Sequence, residues 1–434
     1  MTRVMKDSGV DWIGKIPQGW DITKIKNYCK TVFSGGTPDT TRPEYWEGEI
    51  SWLPSGELQN CTITQPVRFI TNEGLVNSST KMIPANTTLI AMTGATCGNV
   101  GYLTFDSCAN QSVTAYIAKD KTYSKFLYYL LQSAREEILL NKTGGAQGGI
   151  NVSNCKNISV PFLSYVVQQA IADYLDKKCG EIDKVVETEK AVIEKLKEYK
   201  QSIITEAVTK GLDKSVTLKD SGIEWIGKIP AHWESMKLKF CTYIRARLGW
   251  KGLKAEEYVE EGYPFLSAFN IVNSKLVFED LNFINQFRYD ESPEIKLQES
   301  DVLLVKDGAG IGKCAIVENM PKPSTVNGSI AVITTNNLLK GKFLYYYFLS
   351  NLFQAYIDRL KDGMGVPHLF QSDLREITIV MPKSEEQQQI ADYLDKKCSE
   401  IDQAIAHKEQ VIEKFTEYKK SLIYECVTGK KEVA

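Results

Sequence analysis

"QQAIADYLDKKCGEID" occupies residues 168–183, and "QQQIADYLDKKCSEID" returns at 387–402. Extended to residues 211 and 430, the two segments agree at 26 of 44 positions. One period runs through both. Leu175, Ile182, Glu189, Leu196 and Ile203 recur every seventh residue, as do Ile171, Lys178, Val185, Val192 and Tyr199. The second copy gives Leu394, Ile401, Lys408, Phe415 and Leu422, with Ile390, Lys397, Ala404, Val411 and Tyr418. Mostly apolar rows alternating three and four apart over about five heptads predict two coiled-coil helices whose seams are these positions. At 1.5 Å per residue each would run roughly 60 Å, well beyond an ordinary globular helix. Packing the two antiparallel buries both seams without a second chain.

A second phrase is also repeated. Residues 6–20, "KDSGVDWIGKIPQGW", match 219–233, "KDSGIEWIGKIPAHW", at 11 of 15 positions. The chain is therefore a tandem of two half-copies, each an arm, a variable region and a long helix. An arm follows the first helix, and the second helix ends the sequence while another arm stands at its start. The arm at 6–20 is thus expected to complete the second helix, closing a pseudo-two-fold object. Trp12, Ile13, Ile16 and Trp20, with Trp225, Ile226, Ile229 and Trp233, are the expected buried anchors.

The middles, 21–167 and 234–386, share only islands: "KFLYYLLQS" from Lys125 beside "KFLYYYFLS" from Lys342, and "ANQSV" at 109–113 beside "VNGSI" at 326–330. Strands are expected at 87–94, 100–105 and 112–118, and at 301–308, 313–318 and 329–335, from their β-branched and aromatic content. An aromatic helix follows each set, at about 123–141 and 340–361. Then come glycine-rich loops, "TGGAQGGINVS" at 143–153 and "KDGMGVPHLF" at 361–370, and a short strand with Pro161 or Pro382. A shared frame carrying two different readers is the natural reading of alike ends and unlike middles.

Composition narrows the function. The 434 residues carry a formal charge of −2 and 43% hydrophobic residues. Such a chain can bury a large core but lacks the basic surplus of a protein that grips nucleic acid alone. No apolar run approaches a membrane span, and the start has no signal-peptide pattern, so a cytoplasmic protein is expected. Ten scattered cysteines and three histidines offer no zinc-ligand spacing; buried free thiols are expected. "DGAGIGK" at 307–313 fails as a P-loop, because Asp307 stands where the first glycine is needed and Cys314 follows Lys313. No nucleophile, metalloprotease or amino-methyltransferase motif is present. The residues point to a binding protein.

The doubled "WIGKIP" arm, the doubled "IADYLDKKC" helix, "GATCGNVG" with "ANQSV", and "GAGIGK" with "NGSIAVI" together resemble the specificity subunits of type I restriction–modification systems, over nearly the whole chain. The resemblance implies an α+β fold: two mixed α/β target-recognition domains separated by two long antiparallel coiled-coil helices, with a pseudo-two-fold internal repeat. It implies residues 1–167 as arm and first recognition domain, 168–211 as first spacer helix, 212–386 as linker, second arm and second recognition domain, and 387–434 as second spacer helix and tail. It further implies a non-catalytic, sequence-specific DNA-binding subunit that reads a bipartite asymmetric target in double-stranded DNA. Two modification (methyltransferase) subunits and two restriction subunits would be its partners. S-adenosylmethionine would belong to the former, ATP and Mg to the latter. The competing readings are a coiled-coil adaptor without DNA specificity and a fused methyltransferase.

Base edges are read by Arg, Asn, Gln, Lys, Ser or Thr on closely approaching loops. In the first domain the candidates are Thr93, Asn110, Gln111, Gln147 and Asn151, with Gly144, Gly145, Gly148 and Gly149 admitting backbone near the groove. In the second they are Lys306, Asp307, Asn327, Lys361, His368 and Gln371, around Gly363 and Gly365. Arg42, Arg245, Arg247 and Lys251 are candidates for phosphate or base contact.

Overall fold

A computed structural model of the chain describes residues 3–140, 142, 148–246, 255–361 and 368–433. Two compact units emerge, Met1–Lys190 with Glu409–Ala434, and Ala191–Lys408. The long helices are Tyr165–Lys210 and Ser384–Val427, of 46 and 44 residues. Each unit therefore owns the first part of one helix and the last part of the other. In the first unit Ile171, Leu175, Cys179 and Ile182 share a buried cluster with Leu422, Ile423, Cys426 and Val427. In the second, Ile203, Ile204, Ala207 and Val208 share one with Ile390, Leu394, Cys398 and Ile401. Start packs on end in both, which is an antiparallel pair.

The seam differs from the expected one on one row. Leu175, Ile182, Ile203, Leu394, Ile401 and Leu422 are buried, as are Ile171 and Ile390. Leu196, Val192, Ala404, Val411 and Phe415 are half-buried. Val185, Tyr199 and Tyr418, however, are 38%, 55% and 53% exposed. The inward row lies one residue later, through Cys179, Val186, Ile193, Lys200 and Ala207. Lys200 and its counterpart Lys419 disguise it, since a lysine reads as a surface residue. Their aliphatic stems instead lie along the seam while the ammonium groups reach the neighbouring helix. Lys200 Nζ donates to Asp402 at 2.7 Å, and Lys419 Nζ to Asp183 at 2.6 Å.

Each arm is a β-hairpin. Met5–Asp7 pairs antiparallel with Lys15–Pro17, and Leu218–Asp220 with Lys228–Pro230, in the same register. The arms cap the long helices. Gly429 and Gly211 end the helices at φ +73 and +74, a left-handed conformation that favours glycine. Pro17 and Trp20 lie so close to Gly429 that a Cβ there would come within 2.5 Å of Pro17. Trp233 covers Gly211 and donates from Nε1 to Glu386 at 3.1 Å. The Ile13 carbonyl accepts from Tyr424 at 3.0 Å and Lys430 at 2.8 Å.

The variable regions fold alike despite their divergence. In the first, Cys29–Ser34, Val113–Ala118, Thr87–Ala91, Val100–Leu103 and Cys61–Ile63 form a five-stranded sheet in that order. In the second, Thr242–Arg245, Ile330–Thr335, Val302–Val305 and Cys314–Ile316 repeat its first four places. A smaller sheet repeats too: Cys108–Ala109, Trp46–Leu53 and Arg68–Ile70 beside Thr325–Val326, Tyr263–Leu266 and Asn282–Ile284. The expected aromatic helices are each broken in two, at Ala134 and at Ser350, giving Ser124–Ser133 with Arg135–Leu140 and Gly341–Leu349 with Asn351–Lys361.

The sequence islands are the joints of reader to frame. Tyr129 Oη donates to Asp176 at 2.6 Å, and Tyr346 Oη to Asp395 at 2.7 Å. Lys125 and Lys342 pair with the same two aspartates. Burial, then the bond to the carboxylate, pushes both phenols far above their ordinary range, so each remains a donor. Beside them sits a buried glutamine. Gln168 accepts from Tyr123 N at 2.9 Å and donates to the Leu163 carbonyl at 2.9 Å. Gln387 accepts from Lys340 N at 2.8 Å and donates to the carbonyls of Leu338 and Pro382, each at 2.9 Å.

Among the described residues no helix is long and apolar enough to cross a membrane, and no cluster of His, Cys, Asp or Glu is placed to hold a metal. Nine of the ten cysteines are buried; Cys61, on a sheet edge, is exposed against expectation. Burial pushes the thiols of Cys179 and Cys398 up to about 11. Iodoacetamide at neutral pH is expected to label Cys61 alone in the native protein, with mass spectrometry of the digest as readout. Gln387→Ala strands one amide and two carbonyls and is expected to lower stability in urea unfolding by roughly 1–3 kcal/mol.

Candidate nucleic-acid interface

In each variable domain one rim of the main sheet is held by four hydrogen bonds that recur in both. At the end of Thr87–Ala91, Met92 N donates to the Ser112 carbonyl at 2.7 Å, and the Met92 carbonyl accepts from Ile150 N at 2.9 Å. In the second domain Lys306 N donates to Ser329 at 2.8 Å, and its carbonyl accepts from Leu369 N at 2.9 Å. Asn110 N bonds the Leu53 carbonyl at 3.0 Å, as Asn327 N bonds Leu266 at 2.8 Å. Asn110 Oδ1 and Asn327 Oδ1 accept from Ser112 N and Ser329 N, both at 3.1 Å. The two rims are one backbone cradle. "ANQSV" and "VNGSI" are alike because the asparagine closes the turn.

The side chains on this cradle are unlike. In the first domain Thr93 Oγ1 donates to Ser112 Oγ at 2.7 Å, and Gln111, exposed, pairs with Thr37. Gly149 lies so near Met92 and Thr93 that a Cβ would meet each at 2.8 Å. Gly148 is buried; Asn151 is exposed, and its Oδ1 accepts from Asn154 N at 2.8 Å as a helix N-cap. Arg42 is exposed, its guanidinium stacked 5.4 Å from the Tyr45 ring. Next to Thr93 opens a groove of about 670 Å³ flanked by Arg135 and Lys142. The surface offers hydroxyls and amides, with two cations to one side.

The second cradle offers charge and aromatic rings. Asp307 stands in the place of Thr93, bonded by Lys306 Nζ at 2.8 Å and by His368 Nδ1. His368 takes the place of Gly149 and packs its ring edge-on to Phe370, 4.4 Å away, which is 52% exposed. Gly328 replaces Gln111. Gln371 begins the helix Gln371–Glu376 just beyond, and Lys361 ends the helix Asn351–Lys361. Gly144, Gly145, Gln147, Arg247, Lys251, Gly363 and Gly365 lie outside the described residues. Thr37, Ser112, Ser329 and Phe370 were missed by the sequence reading. The two serines sat inside the quoted islands and Phe370 at the end of the quoted glycine-rich loop, while Thr37 gave no local signal.

Arg245 is a correction. It is 8% exposed, and Asp301, which accepts from its Nη2 at 2.7 Å, is fully buried. Nη2 also meets Thr334 Oγ1 at 2.7 Å, and Nη1 meets the carbonyls of Lys296 and Glu294 at 2.9 and 3.2 Å, while the buried Nε has no partner among the described residues. It joins the main sheet to the 293–296 turn and cannot reach a nucleic acid. An arginine on a strand gave no sign in sequence that a buried carboxylate 56 residues on would claim it. Arg245→Ala leaves Asp301 charged and uncompensated, and is expected to cost about 3–5 kcal/mol in urea unfolding.

Comparison with known proteins bears on this geometry. Residues 17–198 and 230–414 each match the family model described as type I restriction modification DNA specificity domain. The MjaVIII specificity subunit of Methanocaldococcus jannaschii is 25% identical over 96% of this chain and 94% of its own length. The MjaIX specificity subunit of the same organism is 28% identical over 85% and 84%. A chain in a solved structure of the type I R-M system, at 14% identity, superimposes with a TM-score of 0.74 over 96% of this chain and 99% of its own. That likeness extends over both repeats of the fold. With two matches spanning most of its length, each holding one cradle, the chain belongs to the type I restriction–modification DNA specificity family and carries two such domains.

Proposed function

We propose that this chain reads a bipartite, asymmetric sequence in double-stranded DNA, each variable domain contacting one half-site through its cradle. The observation that carries this reading is a common backbone frame holding unlike hydrogen-bonding sets. Thr93, Asn110 and Gln111 offer neutral donors and acceptors. Lys306 and Asp307 offer charged ones, beside the amide of Asn327 and the imidazole of His368. Base pairs differ in the major groove by just such donor and acceptor patterns, so two unlike sets on one frame select two unlike half-sequences.

The chain itself performs no chemistry in this scheme. It directs two modification subunits and two restriction subunits, binding no cofactor; the former hold S-adenosylmethionine and the latter ATP and Mg. The formal charge of −2 supports the dependence on partners, because phosphate neutralisation supplies much of any DNA affinity. The two equivalent faces of the repeated frame suit two copies of one partner. The work is done in the cytoplasm, where DNA and partners are.

Methylation mapping with the gene intact and deleted is expected to reveal one bipartite motif that vanishes on deletion. Exchanging residues 21–167 for another recognition domain should change one half of it. A heptad inserted in both long helices lengthens each by about 10 Å, about three base pairs of duplex, and should widen the unread gap by that much. A methylome without a bipartite motif overturns the proposal.

A further inference from the structure

Phe269 is 92% exposed, more than any other large hydrophobic side chain among the described residues. It does not sit on a loose loop. Strand Tyr263–Leu266 runs into the turn Ala268–Asn270, where Ser267 and Asn270 form a reciprocal cap. Ser267 N donates to Asn270 Oδ1 at 2.9 Å, Phe269 N to Ser267 Oγ at 3.3 Å, and Asn270 is buried. The turn is fixed beside the cradle on two sides. The Leu266 carbonyl accepts from Asn327 N at 2.8 Å, and a Cβ on Gly310 would lie 3.7 Å from that of Ala268. In the first domain the same place, after Leu53, is held by Gly56 in the turn Ser55–Glu57. The ring is therefore peculiar to the second domain and stands in water, on a fixed backbone turn, at a rim of polar groups.

We propose that Phe269 is a specificity-determining residue of the second half-site, whose ring takes up the 5-methyl group of a thymine. That methyl is the one apolar feature a base pair shows in the major groove, and an aromatic ring among hydrogen-bonding side chains is suited to it. The inference rests on the reading of the second domain as a half-site reader. A backbone already held in place loses little freedom on contact, so most of the methyl's removal from water is retained as discrimination.

The test uses the full chain assembled with its modification subunits and duplexes carrying the mapped motif. Each thymine of the second half-site is replaced in turn by deoxyuridine, which lacks only the methyl group. For the wild-type chain one replacement is expected to weaken binding about fourfold, the worth of one buried methyl. Phe269→Ala should bind the thymine duplex weaker by at least that factor and be indifferent to the same replacement, while Phe269→Leu keeps part of the sensitivity. Replacements in the first half-site should affect wild type and variants alike, which shows that the variants are folded and assembled. The proposal fails if Phe269→Ala binds as tightly as wild type, if it keeps the wild-type response at every thymine, or if the second half-site contains no thymine. A wild-type complex with no sequence preference overturns the half-site reading on which it stands.

Discussion

Two aspartates, Asp176 and Asp395, hold the architecture together. Each lies about three turns into a long helix and takes a tyrosine hydroxyl and a lysine from the helix of its own variable domain. The carboxylates stand at the helix surface, 44% and 37% exposed, and it is the buried tyrosines whose hydroxyls need them. Tyr129 and Tyr346, kept protonated by burial, remain donors to them at any ordinary pH. The neighbouring glutamines, Gln168 and Gln387, tie the helix starts to backbone of the same domains. A variable domain so fixed cannot rotate on its helix without stranding several buried polar groups. That rigidity is what a reader of base edges requires, since its contacts fail over errors of an ångström or so.

The same constraint explains what was legible in sequence. "KFLYYLLQS" and "KFLYYYFLS" stand out from divergent surroundings because the lysine and tyrosine must meet an invariant partner in the repeat. "ANQSV" and "VNGSI" stand out because their asparagine closes the cradle. The arms were legible as buried anchors through Ile13, Ile16 and Trp233. Their hairpin pairing was not, for strands of three residues carry no periodicity. Where a residue served a local backbone need or a repeated contact, internal comparison exposed it.

Long-range pairing was illegible. The seam row through Lys200 and Lys419 could not be chosen over the row through Tyr199 and Tyr418, because only the facing helix, with Asp402 and Asp183, makes a lysine the better inward residue. Arg245 passed as a groove contact because Asp301 and Thr334 meet it only in the folded sheet. Thr37 reaches Gln111 across 74 residues, and nothing near Thr37 announces it. In each case the deciding energy is a hydrogen bond or ion pair between segments distant in the chain, and local patterning carries no trace of it.

Duplication also eases a conflict between stability and specificity. In the proposed reading the surface that discriminates base pairs displays groups such as Asp307, His368 and Phe269, which lie outside the hydrophobic clusters. Here Asp307 and His368 stand on bonds made by backbone amides and by Asn327, and Phe269 on the Ser267–Asn270 cap. The sheet beneath, with Val302–Val305 and Thr87–Ala91 wholly buried, supplies the stability independently. Side chains on the cradle can therefore change without loss of the fold, and two halves that began as one sequence can come to read different ones. Separation of the two tasks into different atoms of the same residues, backbone for holding and side chain for reading, is the physical basis on which the readers diverged while the frame stayed alike.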